Sequence, residues 1–508
     1  MSNPSYVIGL DLGTTRVKAI LINEDGQIMA SDDADYPLHR PTNDAAEQNP
    51  EDWWKSTCKV INTTVEKSGA DVEDIVGLGI AGQMHSAVFL NDKLKPIRPA
   101  VTWADNRTGP EAQEIEDKFG TEKLLDITYN LSLPGFTASK VLWLKHHEPK
   151  HFEQLVKLVL PKDYLRYRLT DELLAEKAGA SATLLFNLAE EDWSDDLLQV
   201  VGLTRKHVPP LVEPLALAGE ITENAANKTG LVPGTPVVAG AGDQQAGALG
   251  IGAVKPGIVV STIGTGGQIF TTTPRLIKPH QGRTHVFRGC LQDSWHVMGA
   301  MQTAGLALRW FKESILDQYT TNELSYDEIS RLADNAPAGS NNLLFLPYLA
   351  GERSPHMDPH ARGCFIGLTL NHELPHILRS IMEGVTFGMK DSLELFQNLN
   401  LPIQEIRCSG GGANSPVWKQ IQADIYQQRV VKTNIQENSA FGAAVMAAVG
   451  SGLFPSVSDQ SMDKLIKVTE ETLPKAENIE PYKKFHNRFQ KLYRVLKPEF
   501  EALSENRQ

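Results

Sequence analysis

The 508-residue sequence predicts an α/β protein built from two domains. Three observations carry that expectation. The length exceeds what one hydrophobic core usually serves. A strand, glycine turn and strand open the chain at residues 6–30, and a similar unit recurs at 258–272, about half a chain later. Between them the stretch 235–250 (TPVVAGAGDQQAGALG) runs from a short apolar strand through small residues to one isolated carboxylate, then into a small-residue helix. The expected division is 1–252 and 253–508. The hinge is expected at 250–257, where glycine and proline interrupt the periodic pattern.

Composition narrows the function. Hydrophobic content of 41% and charged content of 22% suit a soluble globular enzyme. The net charge of −13, with no basic tract, argues against a nucleic-acid surface or an anionic-membrane anchor. It still allows a phosphorylated ligand held by backbone amides. Cys58, Cys290, Cys364 and Cys408 form no ligand-spaced pair, which suits free thiols in a reducing compartment. The N-terminus has no basic region followed by an apolar signal segment, and no apolar run approaches ~18 residues. The expected location is cytoplasmic, with neither nucleic acid nor membrane as partner.

In chain order, 6–12 is an apolar strand running into Asp11-Leu-Gly-Thr-Thr15, followed by returning strands at 16–23 and 27–30. The turn offers backbone amides, the hydroxyls of Thr14 and Thr15, and Lys18 nearby as a cation. A carboxylate at Asp11 makes sense if a divalent cation lies between it and a phosphate; a plain hairpin with a surface aspartate is the alternative. Residues 50–68 read as a helix whose Trp53 and Trp54 belong to a core. Gly77, Gly79 and Gly82 spell GxGxxG, but strand character continues after them, so the dinucleotide reading fails. The segment 136–144, with Lys140 and Trp143, reads as amphipathic. Trp103 with Asp105 suits a polyol, the ring packing on C–H bonds while the carboxylate takes hydroxyls; a core tryptophan beside a turn is the competing account.

Asp243 follows a buried strand and glycines, where open α/β sheets place their chemistry; it could equally cap the helix that follows. Gly264-Thr265-Gly266 makes the second tight turn. His372-Glu-Leu-Pro-His376 spells HExxH, yet Pro375 sets the pair at the start of the helix 374–396 and no third ligand is evident. In Ile406-Arg-Cys-Ser-Gly-Gly-Gly-Ala-Asn414, three glycines exceed what a turn needs and would let a nucleobase lie on bare backbone. No Gly-Lys pair occurs, so a Walker A loop is absent.

Together these pieces resemble the FGGY carbohydrate kinases, to about Gly452. The likeness rests on Asp11-Leu-Gly-Thr-Thr15, Gly82-Gln-Met-His85, Gly135-Phe-Thr-Ala-Ser-Lys140, Leu160-Pro-Lys-Asp-Tyr164, Gly240-Ala-Gly-Asp243, Gly264-Thr265, Gly351-Glu-Arg353 and Gly410-Gly-Gly-Ala413. It implies two ribonuclease H-like domains of the actin/hexokinase ATPase type, with ATP, Mg2+ and a sugar in the cleft between them. Asp243 would be the general base, and Asp11 the metal-holding carboxylate that assists it. Gln83, Met84, His85, Trp103, Asp105 and Gln244 would line the sugar. Thr14, Thr15, Lys18, Gly264, Thr265, Gly266, Gly305, Gly411, Gly412 and Asn414 would hold the nucleotide. The implied reaction is ATP-dependent phosphorylation of D-xylulose, with gluconate or another pentulose or polyol as the alternative, and the implied assembly a homodimer. A non-catalytic sugar- and ATP-binding protein is the remote alternative. Three positions depart from the pattern of relatives acting on xylulose: Gln244 replaces asparagine, Ser86 replaces glycine, and Gly266 stands where serine is common.

Overall fold

The computed structural model describes residues 4–319 and 323–505. Tyr6–Leu12 (β1), Arg16–Asn23 (β2) and Ile28–Asp35 (β3) form an antiparallel meander, with Asp11 directly opposite Lys18. The β1–β2 turn closes through the Gly13 N–H donating to the Arg16 carbonyl at 3.0 Å. Pro50–Ser68 (α1) lies where the apolar period placed it. Asn49 caps its start and Gly69, at φ 68°, ends it. Ile75–Gly82 (β4) joins β1 in parallel. Leu217–Glu220 (β5), Pro236–Val238 (β6) and Ala241–Gly242 (β7) complete the sheet in the order β5-β6-β4-β1-β2-β3, with β7 also on β4.

The second sheet repeats that plan. Gly257–Ile263 (β8), Gly267–Thr273 (β9), His285–Arg288 (β10), Trp295–Met301 (β11), Ile403–Ser409 (β12), Val430–Thr433 (β13) and Val468–Thr472 (β14) run in the order β10-β11-β9-β8-β12-β13-β14. In each sheet a hairpin leads back to a third antiparallel strand, while a later strand joins the first in parallel. The short echo in the sequence therefore extends across both sheets. The fold is that of two ribonuclease H-like domains, of the actin/hexokinase ATPase type.

Helices occupy the space around and between the sheets. Thr137–His147 (α2) differs from the amphipathic expectation, since Thr137 through Leu144 are all buried. Its Lys140 reaches inward, and the ammonium donates to the carbonyls of His85, Pro134, Gly135 and Phe136. Pro161–Thr170 (α3) buries Lys162, Asp163 and Arg166, which with Glu176 form an ion network. Arg166 also donates to the Ala239 carbonyl at 2.7 Å, bracing the backbone four residues ahead of Asp243. Leu374–Asn398 (α5) is tied to Ala476–Glu505 (α8) through His486 Nε2, 2.8 Å from Asp391 Oδ1. His372 and His376 are half-buried at the start of α5. Among the described residues neither joins a group of three metal-ligating side chains. No described helix is long and apolar enough to cross a membrane.

Asp243–Gly250 (α4) and Asn438–Gly450 (α7) cross between the two sheets at almost backbone contact. A Cβ on Gly442 would stand 1.9 Å from the Ala246 carbonyl oxygen, and one on Gly250 would stand 1.8 Å from that of Asn438. The other face of α7 presses on the first sheet, where a Cβ on Gly9 or Gly79 would stand 2.1 Å from a helix carbonyl. The GxGxxG glycines thus serve close helix-on-strand packing. The obstructing atoms are backbone, so a side chain cannot be accommodated by a rotamer change. Gly442→Ala should lower the free energy of unfolding by about 1–3 kcal/mol. Denaturant titration of the variant against wild type checks this.

Candidate active site

β7 ends at Gly242 and α4 starts at Asp243, so Gly242 occupies the cap position and the carboxylate is the first helical residue. Asp243 therefore does not cap the helix in the usual sense; its Oδ1 accepts from the next N–H, that of Gln244, at 2.9 Å. Burial pushes the Asp243 carboxyl up to about 6, against the lowering effect of the Gln244 hydrogen bonds.

Asp11, on β1, faces the same cavity of about 210 Å³. Its Oδ1 is buried and has no hydrogen-bond partner among the described residues. Burial first, then the negative charges of Asp243 and Glu437, push its carboxyl up to about 8, with Lys18 opposing. Lys18 is not a free cation here, because Glu437 pairs with it at 2.6 Å. Glu437, Asn438 and Ser439, at the start of α7, complete the wall, and the Ser439 hydroxyl donates to the Asp243 carbonyl at 3.0 Å.

The second turn opens onto a cavity of about 360 Å³. Gly264, Thr265, Gly305, Gly411, Gly412 and Asn414, six of the expected nucleotide residues, all line it. Gly266 does not; its carbonyl accepts from Gly264 N–H at 3.0 Å and closes the turn. Gly411 has no heavy atom nearer than 3.9 Å to the place of a Cβ, which leaves a bare backbone surface. Trp418, Met382, Arg309 and Tyr326 supply further walls. These were not foreseen, since single apolar or basic residues in helices carry no local signature. Gly410 lines the Asp11–Asp243 cavity and Gly411 the larger one, so the two adjoin along one glycine step.

The expected sugar residues divide into two groups. Met84 packs beside the base, with its Cγ 2.7 Å from where a Cβ on Gly242 would stand. His85 Nδ1 lies 2.6 Å from the Ala182 carbonyl and must carry the ring proton there, which leaves Nε2 as an acceptor. Burial holds the ring's pKa well below the usual histidine value, so it is neutral at pH 7. Trp103 Nε1 donates to Thr14 Oγ1 at 2.9 Å, joining the sugar side to the first phosphate turn. Thr15 is exposed in that turn, and Gln244 lines the carboxylate cavity.

Two residues lie behind this surface. Asp105 is 0% exposed, and its oxygens accept from Arg107 and from the Ala46 N–H at 2.7 Å. A carboxylate so enclosed braces its loop and has no exposed oxygen for a hydroxyl. Gln83 is likewise engaged at both ends: its amide donates to Gln48 Oε1 at 2.9 Å and accepts from the Ser86 hydroxyl at 3.0 Å. Gln48 in turn donates to the Thr14 carbonyl at 2.5 Å. This chain ties the turn at 83–86 to the phosphate turn. Ser86 also accepts from Trp103 N–H at 3.0 Å and is fully buried, so its hydroxyl points into the scaffold.

A carboxylate with a raised pKa, a second carboxylate with an unpartnered buried oxygen, two glycine turns and a glycine-floored cavity suit a phosphoryl-transfer site between two ATPase-type domains. Comparison with known proteins agrees. Residues 6–250 match the N-terminal domain, and 259–451 the C-terminal domain, of the FGGY family of carbohydrate kinases. The chain belongs to this family; it is a carbohydrate kinase with ATP as co-substrate. It is 38% identical to the xylulose kinase of Bacillus subtilis (strain 168) over 488 residues, 96% of either chain. It is 31% identical to the gluconokinase of the same organism, over 99% of this chain and 98% of that one. The crystal structure of xylulose kinase from Rhodospirillum rubrum superposes with a TM-score of 0.90 at 28% identity, over 98% of this chain and all of that one.

The raised Asp11 carboxyl has a consequence for stability. The folded state holds a proton that the unfolded state, with its ordinary value of 3.8, has released between about pH 4 and 8. Stability of the ligand-free protein therefore falls as pH rises through that window. Asp11→Asn should be more stable than wild type at pH 8 by on the order of 2 kcal/mol, with the gain gone near pH 4. Denaturant unfolding at both pH values, without nucleotide or divalent cation, measures it.

Proposed function

We propose that this kinase transfers the γ-phosphoryl group of ATP to the terminal hydroxyl of D-xylulose, giving D-xylulose 5-phosphate, with Asp243 as general base. The observation that carries the reading is the placement of Asp243. Its carboxylate is buried at a helix start, raised to about 6, and lines the cavity that adjoins the larger glycine-floored one through Gly410 and Gly411. At neutral pH it is ionised and able to accept the hydroxyl's proton as the oxygen attacks, a role that contributes ~10²–10⁴-fold. Met84, His85, Trp103 and Gln244 would orient the sugar, His85 Nε2 accepting one hydroxyl. The turns at Thr14–Thr15 and Gly264–Thr265 would hold phosphates by backbone N–H groups. The adenosine would lie on Gly411 and Gly412 beside Asn414.

Asp11 suits Mg2+: its unpartnered buried oxygen and its neighbours Asp243 and Glu437 make a pocket short of positive charge. Bound there, magnesium would neutralise charge on the transferred group. Asp11 would hold the ion, and Lys18, released from Glu437, would be available to a phosphate. The four cysteines, none of them in a disulfide, support a cytoplasmic setting. The gluconate alternative draws on Ser86, but that hydroxyl is spent on Gln83 and Trp103, away from the ligand. Of the two sugar-side departures, only Gln244 faces the reaction.

ADP release with magnesium-ATP across D-xylulose, L-xylulose, D-ribulose, gluconate, glycerol and ribitol tests the reading; turnover should be greatest on D-xylulose. Asp243→Asn should lower kcat by at least ~10²–10⁴-fold while binding nucleotide as wild type does. Retained turnover would remove Asp243 from the base role.

A further inference from the structure

Arg353 belongs to the second half of the chain but reaches the sugar residues of the first. Its Nη2 lies 3.1 Å from where a Cβ on Gly135 would stand, and the Trp103 carbonyl is 3.4 Å from the same point. The guanidinium thus sits over the loop that Lys140 organises from below, next to Trp103. His85 meets Phe136 of that loop edge-on at 4.7 Å and Phe287 of the second half at 5.6 Å, so both halves converge here. The half-buried guanidinium has no hydrogen bond or ion pair among the described residues. The carboxylate nearest in sequence, Glu352, is turned away: its Oε1 accepts the backbone N–H groups of Gln302 and Arg353 at 2.9 and 2.7 Å. The other groups that feel Arg353 are His85, Lys140 and His285, none of them an anion.

A half-buried guanidinium without an ion-pair partner keeps its donors free, and five fixed donors with no acceptor suit a ligand oxygen. Burial shifts Arg353 downward, with the charge of Glu352 opposing it. Arg353 acts on His85 but is not among the charges that shift Asp11 or Asp243, so the guanidinium stands nearer to His85 and Gly135 than to those carboxylates. A substrate whose terminal hydroxyl reaches Asp243 would present its opposite end to this residue.

We propose that Arg353 is a specificity-determining residue that donates to an acceptor-only oxygen, a keto or carboxylate oxygen, at the end of the substrate remote from the transferred phosphoryl group. The inference rests on the sugar-kinase reading above and deepens it. A ketose has its carbonyl at that end, and an aldonate its carboxylate. A polyol has only a hydroxyl there, whose own proton competes for the position and whose oxygen is a weaker acceptor. Arg353 would therefore select 2-ketoses or sugar acids over the corresponding alcohols. Because it is contributed by the second half, the sugar pocket is complete only with both halves in place.

The test compares wild type, Arg353→Gln, Arg353→Lys and Gly135→Ala on D-xylulose, on xylitol and on gluconate, with kcat and KM determined separately. Thermal unfolding and ADP affinity are measured as controls. Loss of a charged hydrogen bond predicts a rise of about 10- to 100-fold in the KM for D-xylulose in Arg353→Gln, with ADP affinity unchanged. The preference for D-xylulose over xylitol should shrink by the same factor. Arg353→Lys should recover part of it, and Gly135→Ala, which crowds Nη2 without removing charge, should raise KM too. An unchanged KM and unchanged ketose-to-polyol preference in Arg353→Gln would overturn the inference, even if D-xylulose proves to be the substrate. If wild type instead prefers gluconate and Arg353→Gln loses that preference, the inference stands and the D-xylulose reading falls. A variant that loses thermal stability while its preference persists would make Arg353 a domain brace, which also overturns it.

Discussion

The contact on which the rest depends is the crossing of α4 and α7. Glycine meets backbone on both helices, so two elements almost two hundred residues apart in sequence are held at one separation and one angle. Both helices begin at the same cavity, α4 with Asp243 and α7 with Asn438. Two helix N-termini and two carboxylates are therefore brought to one point. The helix termini favour negative charge and would depress an aspartate's pKa. Burial acts the other way on both and prevails, joined at Asp11 by the charges of Asp243 and Glu437, leaving Asp243 near 6 and Asp11 near 8. On the proposed function, the N–H groups would receive a phosphate and the carboxylates would hold a cation. Without ligand the site is a destabilised point in the fold, of the kind that functional sites commonly hold.

The two sheets make this arrangement by repetition. Each presents a glycine turn between its first two strands, and each turn faces the space between the halves. They differ in what lies beneath. The first turn is bound through Thr14 to Trp103 and through Gln48 to Gln83, so phosphate and sugar residues share one hydrogen-bonded scaffold. The second turn leads along Gly410 and Gly411 into the larger cavity. A shift of the first turn on nucleotide binding would be passed directly to Trp103. The Lys18–Glu437 pair and the Ser439–Asp243 bond tie the halves across the same boundary.

Much of this was legible in the sequence, and glycine explains why. Strand-to-glycine steps at Gly13, Gly242, Gly264 and Gly410 announce both the turns and the bare surfaces, because few other residues permit such close approach. The strands and α1 followed from apolar period. What stayed hidden is the pairing of polar groups across long separations. Asp105 looked available for a hydroxyl because nothing local shows that Arg107 and the Ala46 N–H enclose it. Gln83, which the family resemblance set at the sugar, is engaged at both ends by partners that nothing local reveals. Lys140 suggested an amphipathic helix, whereas a ring of backbone carbonyls receives it inside the protein. Polar satisfaction is a property of the folded neighbourhood, and a linear pattern does not encode it.

The same principle separates scaffold from selectivity among the residues that depart from the family pattern. A serine at position 86 adds a hydroxyl, but its proton and lone pairs are already committed to Gln83 and Trp103, so the change is absorbed behind the surface. Gly266 closes its turn through its own carbonyl and needs no side chain to do so. Gln244 differs: it lies in the cavity itself, one methylene longer than asparagine, with its backbone N–H on the base. On the proposed function, a longer amide beside Asp243 would change the reach of a hydrogen bond to the hydroxyl next to the attacking one, and selectivity at that end would rest on Gln244. At the other end it falls to groups that meet only when both halves of the chain are assembled.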